Sequence, residues 1–400
     1  MSRIEYKNSG IFWQPFIPKS WHVTRLKYIL KKLSREKGAD DELLVCSNSG
    51  DIRKRGDSRL GLVANSNDIY QGVRSGDLLI HGMDTWHGAI AVSKFDGMCT
   101  PVVHVCDSSQ NKEYVATYLR NMASQQIFKL ISNGVRQNTS DFRSWDKLSR
   151  IPIPLPPLVE QEKIVSYLED KTSKIDEVIL AKEKQIKLLQ ELKDAEIANV
   201  ITRGLNPDVK MKRYDSLLSS ECPEHWCITR NKSFMSLVGE KVGRQSVSYT
   251  LLSLTTKGVI IRDVESGKGK FPKDFDTYQI VQRGELVFCL FDIDETPRTV
   301  GIVETGGMVT GAYTVLRVNE KYAIPEYVYY YYLCVDNIKA LKPYYSGLRK
   351  TVRADKFLQL YIPVPSVEEQ RTIIAYIENK NNKIEALVKN LEAEIAYLKE

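Results

Sequence analysis

Residues 151–176 read IPIPLPPLVEQEKIVSYLEDKTSKID, and residues 361–385 repeat the plan as YIPVPSVEEQRTIIAYIENKNNKIE, with Gln370 standing 209 residues after Gln161. Proline neither donates to a strand ladder nor continues a helix, so each proline-rich run is punctuation between two kinds of structure. A helical pattern follows each run, opening near Val159 and Val367. In the second, Ile377, Ile384, Val388, Leu391, Ile395 and Leu398 are spaced by seven, four, three, four and three residues, the a/d spacing of a coiled coil. The same face of the first helix carries Leu168, Ile175, Ile179, Lys182, Ile186 and Leu189, apolar at every position but the lysine. An amphipathic helix ordinarily lies on its own domain's core. Two helices with one seam in one chain instead favour packing on each other, as an antiparallel pair over roughly 40 residues, or about 60 Å at 1.5 Å per residue. The first helix has a normal stop at Gly204 with Pro207 behind it. The second reaches Glu400, the counterpart of Glu191, and is expected to be the shorter of the two.

Outward from these segments the whole chain is duplicated. PKSWHVTR (Trp21) matches PEHWCITR (Trp226), and RSGDLLI (Gly76) matches QRGELVF (Gly284). EYVATYL (Tyr114) matches EYVYYYY (Tyr327), and NGVRQ (Gly134) matches SGLRK (Gly347). The offset drifts upward between Gly76 and Tyr114, which places an insertion in the second copy after the GDLLI strand, where HGMDTWHGAIAV faces CLFDIDETPRTVGIV. A frame kept in register around a loop that changes length and chemistry suits two different readers on one scaffold. The expected architecture is α+β: a first domain at 1–153, a linker and long helix at 154–206, a second domain at 207–362, and a linker with a shorter helix at 363–400. The tyrosine run Tyr329 to Tyr332 reads as a helix packed into a domain core in preference to a platform for stacking bases.

The rest of the sequence is informative mainly by exclusion. The 400 residues are 42% hydrophobic and 27% charged, with 57 Lys+Arg against 50 Asp+Glu. No apolar run approaches the roughly 18 residues that cross a bilayer, and the N-terminus lacks an apolar signal core, so a cytoplasmic protein without membrane contact is expected. The seven cysteines form no CxxC pair and read as reduced thiols, mostly buried. A net charge of +7 is compatible with an anionic partner without requiring one. GxxxxGK[ST], GxGxxG and the [DNS]PP[YF] tetrapeptide of amino-methyltransferases are all missing. His81, Asp84 and His87 read better as polar surface than as a metal site, and Asp292, Asp294 and Glu295 lack the following lysine of a nuclease. The chain reads as non-catalytic, with no cofactor or metal of its own.

Two variable domains of about 150 residues, each followed by a PLPPLxEQ-like motif and a long helix, resemble the specificity subunit of type I restriction and modification systems. The likeness covers essentially the whole chain, and it is most specific at 153–176 and 362–385; Ser366 in place of a proline is a small departure. The resemblance implies two target recognition domains, each contacting one half of a split, asymmetric site in double-stranded DNA, with the helices setting the number of unread base pairs between them. It implies docking of two modification subunits, which carry adenine methyltransferase activity and use S-adenosylmethionine, and of restriction subunits driven by ATP, with magnesium. Those cofactors are expected on the partners.

Reading bases calls for Arg or Lys at guanine, Asn or Gln at adenine, and short polar groups at either, whereas phosphates need only positive charge or amides. In the first copy the candidates are Arg53, Lys54 and Arg55, the loop Thr85, Trp86 and His87, and Arg136, Gln137 and Asn138. In the second they are Lys257, Arg262, Lys268, Lys270, Thr296, Arg298, Arg349, Lys350 and Arg353. An isolated surface cation is ordinarily only solvated; the recurrence of these groups at matched loops argues for more. Arg298 and the Trp86/His87 pair are the leading expectations for base contact, and Arg136 and Arg349 for phosphate. Around the proline motifs, Pro154, Pro156, Glu160, Gln161, Pro363, Pro365, Glu369 and Gln370 are candidates for partner docking, beside the plainer view that they end the domain and start the helix. The competing functional reading is a coiled-coil assembly scaffold that reads no DNA.

Overall fold

The computed structural model describes residues 4–56, 69–132, 142–262 and 275–400. The chain divides into two units, Met1–Asp176 and Glu177–Glu400, with the cut inside the first long helix. Each unit is α+β, and the strand plan of one is the strand plan of the other.

In the first unit the chain enters along His22–Arg25 and leaves along Pro152–Leu155, and these two strands pair antiparallel. Between them a four-stranded antiparallel sheet runs in the order Leu30–Lys32, Val103–Ser108, Leu78–His81, Ile90–Val92. The helix Lys112–Ser124 packs on it. The second unit repeats each piece: Cys227–Arg230 pairs with Tyr361–Val364, and the sheet order is Met235–Val238, Thr314–Val318, Leu286–Phe288, Val300–Ile302. Its helix is Pro325–Asn337. The GDLLI and GELVF strands are buried on both faces because alternate side chains enter different cores. Leu78 and Ile80 join one apolar cluster and Leu79 another; Leu286 and Phe288 join one and Val287 another. The acidic residue of each motif locks the turn before the strand. Buried Asp77 accepts from Arg74 N at 2.8 Å and pairs with Arg35; buried Glu285 accepts from Gln282 N at 2.8 Å and pairs with Arg317 at 2.7 Å. Tyr327, Tyr331 and Tyr332 are fully buried, so the tyrosine run is core. All seven cysteines are free thiols, and only Cys227 is exposed.

The long helices span Leu158–Arg203 and Val367–Lys399. The first ends at Gly204, whose φ of +75° is the left-handed conformation that closes many helices. Within the second unit the two run antiparallel: Lys193 pairs with Glu385 at 2.8 Å, Lys399 with Glu183 at 3.3 Å, and Lys182 with Glu394. Ile377, Ile384 and Ile395 are buried on this seam, and Val388, Leu391, Leu398, Ile179, Ile186 and Leu189 are half-buried. The seam lysine at 182 is accommodated because Glu394 reaches across to it. Leu168 and Ile175 depart from expectation. They precede the paired length of the first helix and remain 38% and 39% exposed.

The two units also differ around their matched tryptophans. In the second, Trp226 is buried among Ile373, Ile374, Ile377 and the last turns of the first long helix, through Ile197, Val200 and Ile201, and its Nε1 donates to Glu369 Oε1 at 3.0 Å. In the first, the matching Trp21, Ile164, Val165 and Leu168 line an open groove. No partner for the buried Trp21 Nε1 is found among the described residues.

Candidate nucleic-acid interface

The candidate loops stand on a frame held by one repeated device. Gln161 and Gln370 are completely buried at the first turn of each long helix. Gln161 Oε1 accepts from Asn111 N at 3.1 Å, the N-cap of the sheet-covering helix, while its Nε2 donates to Pro156 O and Gln110 Oε1, both at 2.9 Å. Gln370 does the same in its unit, accepting from Ile324 N at 2.8 Å and donating to Pro365 O at 2.9 Å and Tyr322 O at 3.1 Å. Each glutamine thus ties the start of the long helix, the proline segment and the sheet-covering helix together. This corrects the docking assignment: both glutamines are spent internally, and Pro154, Pro156, Pro363 and Pro365 are buried. Glu369 is engaged by Trp226 and by His225 Nε2 at 2.9 Å, and Glu160 is half-buried.

In the first unit the hairpin Leu44–Cys46/Ile52–Lys54 presents the tip Ser47–Asp51 beside the turn Thr85–His87. The contact between them is Asn48 Nδ2 donating to His87 Nδ1 at 3.3 Å. Asp51 draws the tip together, accepting from Ser47, from Ser49 Oγ at 2.7 Å and from Arg53 Nε at 2.5 Å. Partial burial works against its ionisation, but hydrogen bonds from Arg53, Ser47 and Ser49 outweigh it and hold the carboxyl at about 2. Arg53 and Lys54 are exposed, the latter pairing with Glu42 at 2.5 Å; Arg55 is half-buried. Thr85 is fully buried and offers nothing to a base. Trp86 is half-buried against the core with the Lys129 ammonium 4.4 Å from its ring centroid, so one face is already covered. Of the Thr85, Trp86 and His87 trio, His87 is the exposed member. His81 Nδ1 accepts from Asp84 N at 3.1 Å, which makes this pair a turn lock.

In the second unit the longer loop 289–299 meets the segment 345–353. Asp292 N donates to Arg349 O at 2.9 Å and Val352 N to Leu290 O at 2.8 Å. Arg349 Nη2 bonds Asp292 Oδ2 at 2.9 Å, with its guanidinium 5.1 Å from the Phe291 ring centroid. Lys350 Nζ reaches Asp294 Oδ2 at 3.1 Å, and Tyr345 Oη donates to Asp294 Oδ1 at 3.2 Å. The hydrogen bond from Lys350 is the main cause holding the Asp294 carboxyl below its ordinary range. Leu348, at the tip between Gly347 and Arg349, is fully exposed. Lys257 is exposed at the turn of the hairpin Leu252–Thr255/Gly258–Ile261, and Arg262 is half-buried after it. Arg353 is exposed and pairs with Asp355 at 3.0 Å.

Two expectations here are corrected. Arg298 turns inward: its Nη1 donates to Asn337 Oδ1 at 2.9 Å and pairs at 3.3 Å with buried Asp336, which also accepts from Thr299 N and Lys339 Nζ. Thr296 spends its hydroxyl on Asp292 O at 2.9 Å. Both anchor the loop's base and leave the tip to Arg349 and Lys350. Arg136, Gln137, Asn138, Lys268 and Lys270 lie outside the described residues. Asn48, Phe291, Asp292, Asp294 and Leu348 belong to these clusters without having been singled out as contacts; the signal was their position beside the matched basic loops.

A fold of two repeated domains with differing loops on one frame, joined to paired long helices, defines a class of modular recognition protein. The model for the type I restriction modification DNA specificity domain matches the chain twice, at residues 88–190 and 303–397. The chain is 23% identical over 389 residues to a putative type I restriction enzyme specificity subunit, MjaX, of Methanocaldococcus jannaschii, covering 92% of this chain and 79% of that one. Its fold is similar to that of a chain solved in work on complex assembly and conformational transition of the type I R-M system, with a TM-score of 0.61 and 16% identity over 96% of this chain and 95% of that one. The HsdS subunit from Thermoanaerobacter tengcongensis gives 0.52 at 16% identity, over 96% and 94%. The chain belongs to the specificity subunits of type I restriction-modification systems. Specificity subunits are the non-catalytic part of such complexes, in keeping with the reading of this chain as one without its own chemistry.

Proposed function

We propose that each domain reads one half of a bipartite, asymmetric site in double-stranded DNA, and that this chain binds DNA while methyltransferase and restriction subunits perform the chemistry. The observation that carries this is the contrast between a frame repeated in both units and the loops it carries. At the matched loop after the GDLLI and GELVF strands, one unit sets His87 beside Asn48, and the other sets Asp292 and Asp294 against Arg349 and Lys350. Two such surfaces meet two different base sequences. Two methyltransferase subunits holding S-adenosylmethionine, and restriction subunits using ATP and magnesium, complete the assembly in the cytoplasm. Their docking is assigned to exposed apolar residues on the first long helix, Leu158, Val159 and Tyr167, in place of the buried prolines and glutamines. The test is to co-purify the full chain with its methyltransferase subunit, incubate with S-adenosylmethionine and a genomic library, and map the modified adenines. Two unlike half-sites at a fixed interval are expected. Complexes that assemble but methylate no defined sequence would favour the scaffold reading.

A further inference from the structure

The loop that is longer in the second domain brings acid to a place where a DNA reader needs base. Asp292 and Asp294 each hold one of the two exposed cations at the loop tip, Arg349 at 2.9 Å and Lys350 at 3.1 Å. The backbone fixes this pairing from both sides: Asp292 sits at φ +47° and Lys350 at φ +45°, left-handed conformations rare for residues with a Cβ. Asp292 N also donates to Arg349 O, so the acidic and basic loops are joined independently of their charges. Lys342, 3.7 Å from Asp294, and Tyr345 complete the ring around it. The first domain has the same motif elsewhere, in Asp51 holding Arg53 at its hairpin tip.

We propose that Asp292 and Asp294 are resident counter-ions for Arg349 and Lys350, occupying the places that duplex phosphates take and so suppressing binding to arbitrary sequence. This rests on the reading of the loop cluster as DNA-facing. A carboxylate and a phosphate oxygen compete for the same guanidinium and ammonium protons. The ion pairs are solvent-exposed and therefore weak enough to exchange. A duplex offering only phosphates gains two contacts, loses two, and meets two carboxylates each short of one cation, Asp294 keeping only Lys342 and Tyr345. A duplex with the right bases adds contacts outside this exchange, so its advantage is retained while the background falls.

The test uses the full-length chain and a fluorescent duplex of arbitrary sequence, about 40 base pairs long, titrated across a salt series. D292N/D294N keeps both shapes, and asparagine tolerates the left-handed conformation at 292. At about 0.1 M salt this variant is expected to bind roughly tenfold tighter than the parent, with a log–log salt slope steeper by about one to two. E177Q/E392Q makes the same change in net charge at exposed positions on the long helices and is expected to change affinity far less. R349A/K350A is expected to weaken binding. If R349A/K350A weakens binding but D292N/D294N does no more than E177Q/E392Q, the counter-ion role is overturned and the DNA-facing reading stands. If R349A/K350A leaves binding unchanged, the reading of this cluster falls, and the proposal with it.

Discussion

Gln161 and Gln370 show how a single buried side chain joins a helix start to segments distant in sequence. Truncating either to alanine leaves a buried amide N–H and a buried proline carbonyl without partners, which costs about 1–3 kcal/mol per domain; denaturant melts of the two single variants check this, and a loss below about 0.5 kcal/mol in both would contradict the clamp. A second residue-scale effect follows from His104. Its Nε2 bonds Phe142 O at 2.7 Å inside the first unit, and burial lowers its pKa from the ordinary value. His81 is lowered too, again chiefly by burial. The folded first unit therefore resists protons that the unfolded chain accepts near pH 6.5. Its stability is full above that pH and declines as pH falls through it. Strand register puts Thr314 where His104 would be in the second unit, since Ile80 and Phe288 are matched and face them in turn. Hydrogen exchange at pH 7 and 5.5 is expected to show Val103–Ser108 losing more protection than Thr314–Val318; equal losses would refute it. None of this was legible in sequence. Two partners of Gln161, Asn111 and Gln110, lie 50 and 51 residues away, and Asp336, which captures Arg298, is 38 residues from it. Chemistry marked these side chains as readers or dockers, and long-range contact decided otherwise.

At the scale of elements the sequence was far more informative, because the signals that open and close a helix are local. Prolines before Val159 and Val367 and a glycine at 204 located helices that run from Leu158 to Arg203 and from Val367 to Lys399. Heptad spacing identified the seam but overextended it, since periodicity marks a face and does not say where the opposing helix lies. The difference is measurable. Ile384→Ala removes a buried seam residue and is expected to cost about 2–4 kcal/mol, whereas Ile175→Ala on the exposed stretch should stay within about 0.5 kcal/mol. Thermal or denaturant unfolding of the two variants distinguishes them, and comparable losses would mean that the seam extends through Ile175.

For the molecule as a whole, the slight excess of positive charge conceals local pairing: the exposed cations Arg53, Lys54, Arg349, Lys350 and Arg353 all have carboxylate partners. Net charge was a poor guide to partner because it averages over such pairs, while the duplication, a property of the entire chain, was legible from one repeated segment. The strands His22–Arg25 and Pro152–Leu155 deserve a last consequence. The chain enters and leaves the first domain side by side, and the second domain does likewise. Everything between Leu30 and Ser149 is thus a closed excursion from one fixed doorway, and its replacement leaves the pairing of the two threshold strands intact, provided the incoming segment offers partners to Gln161 and Pro154 O as Asn111, Gln110 and Tyr114 do here. Exchanging that excursion for a relative's is expected to rewrite one half of the methylated motif and leave the other intact, as modification mapping would report; loss of both halves would refute it. If that outcome holds, one half of the site is exchangeable as a unit while the other stays as it was.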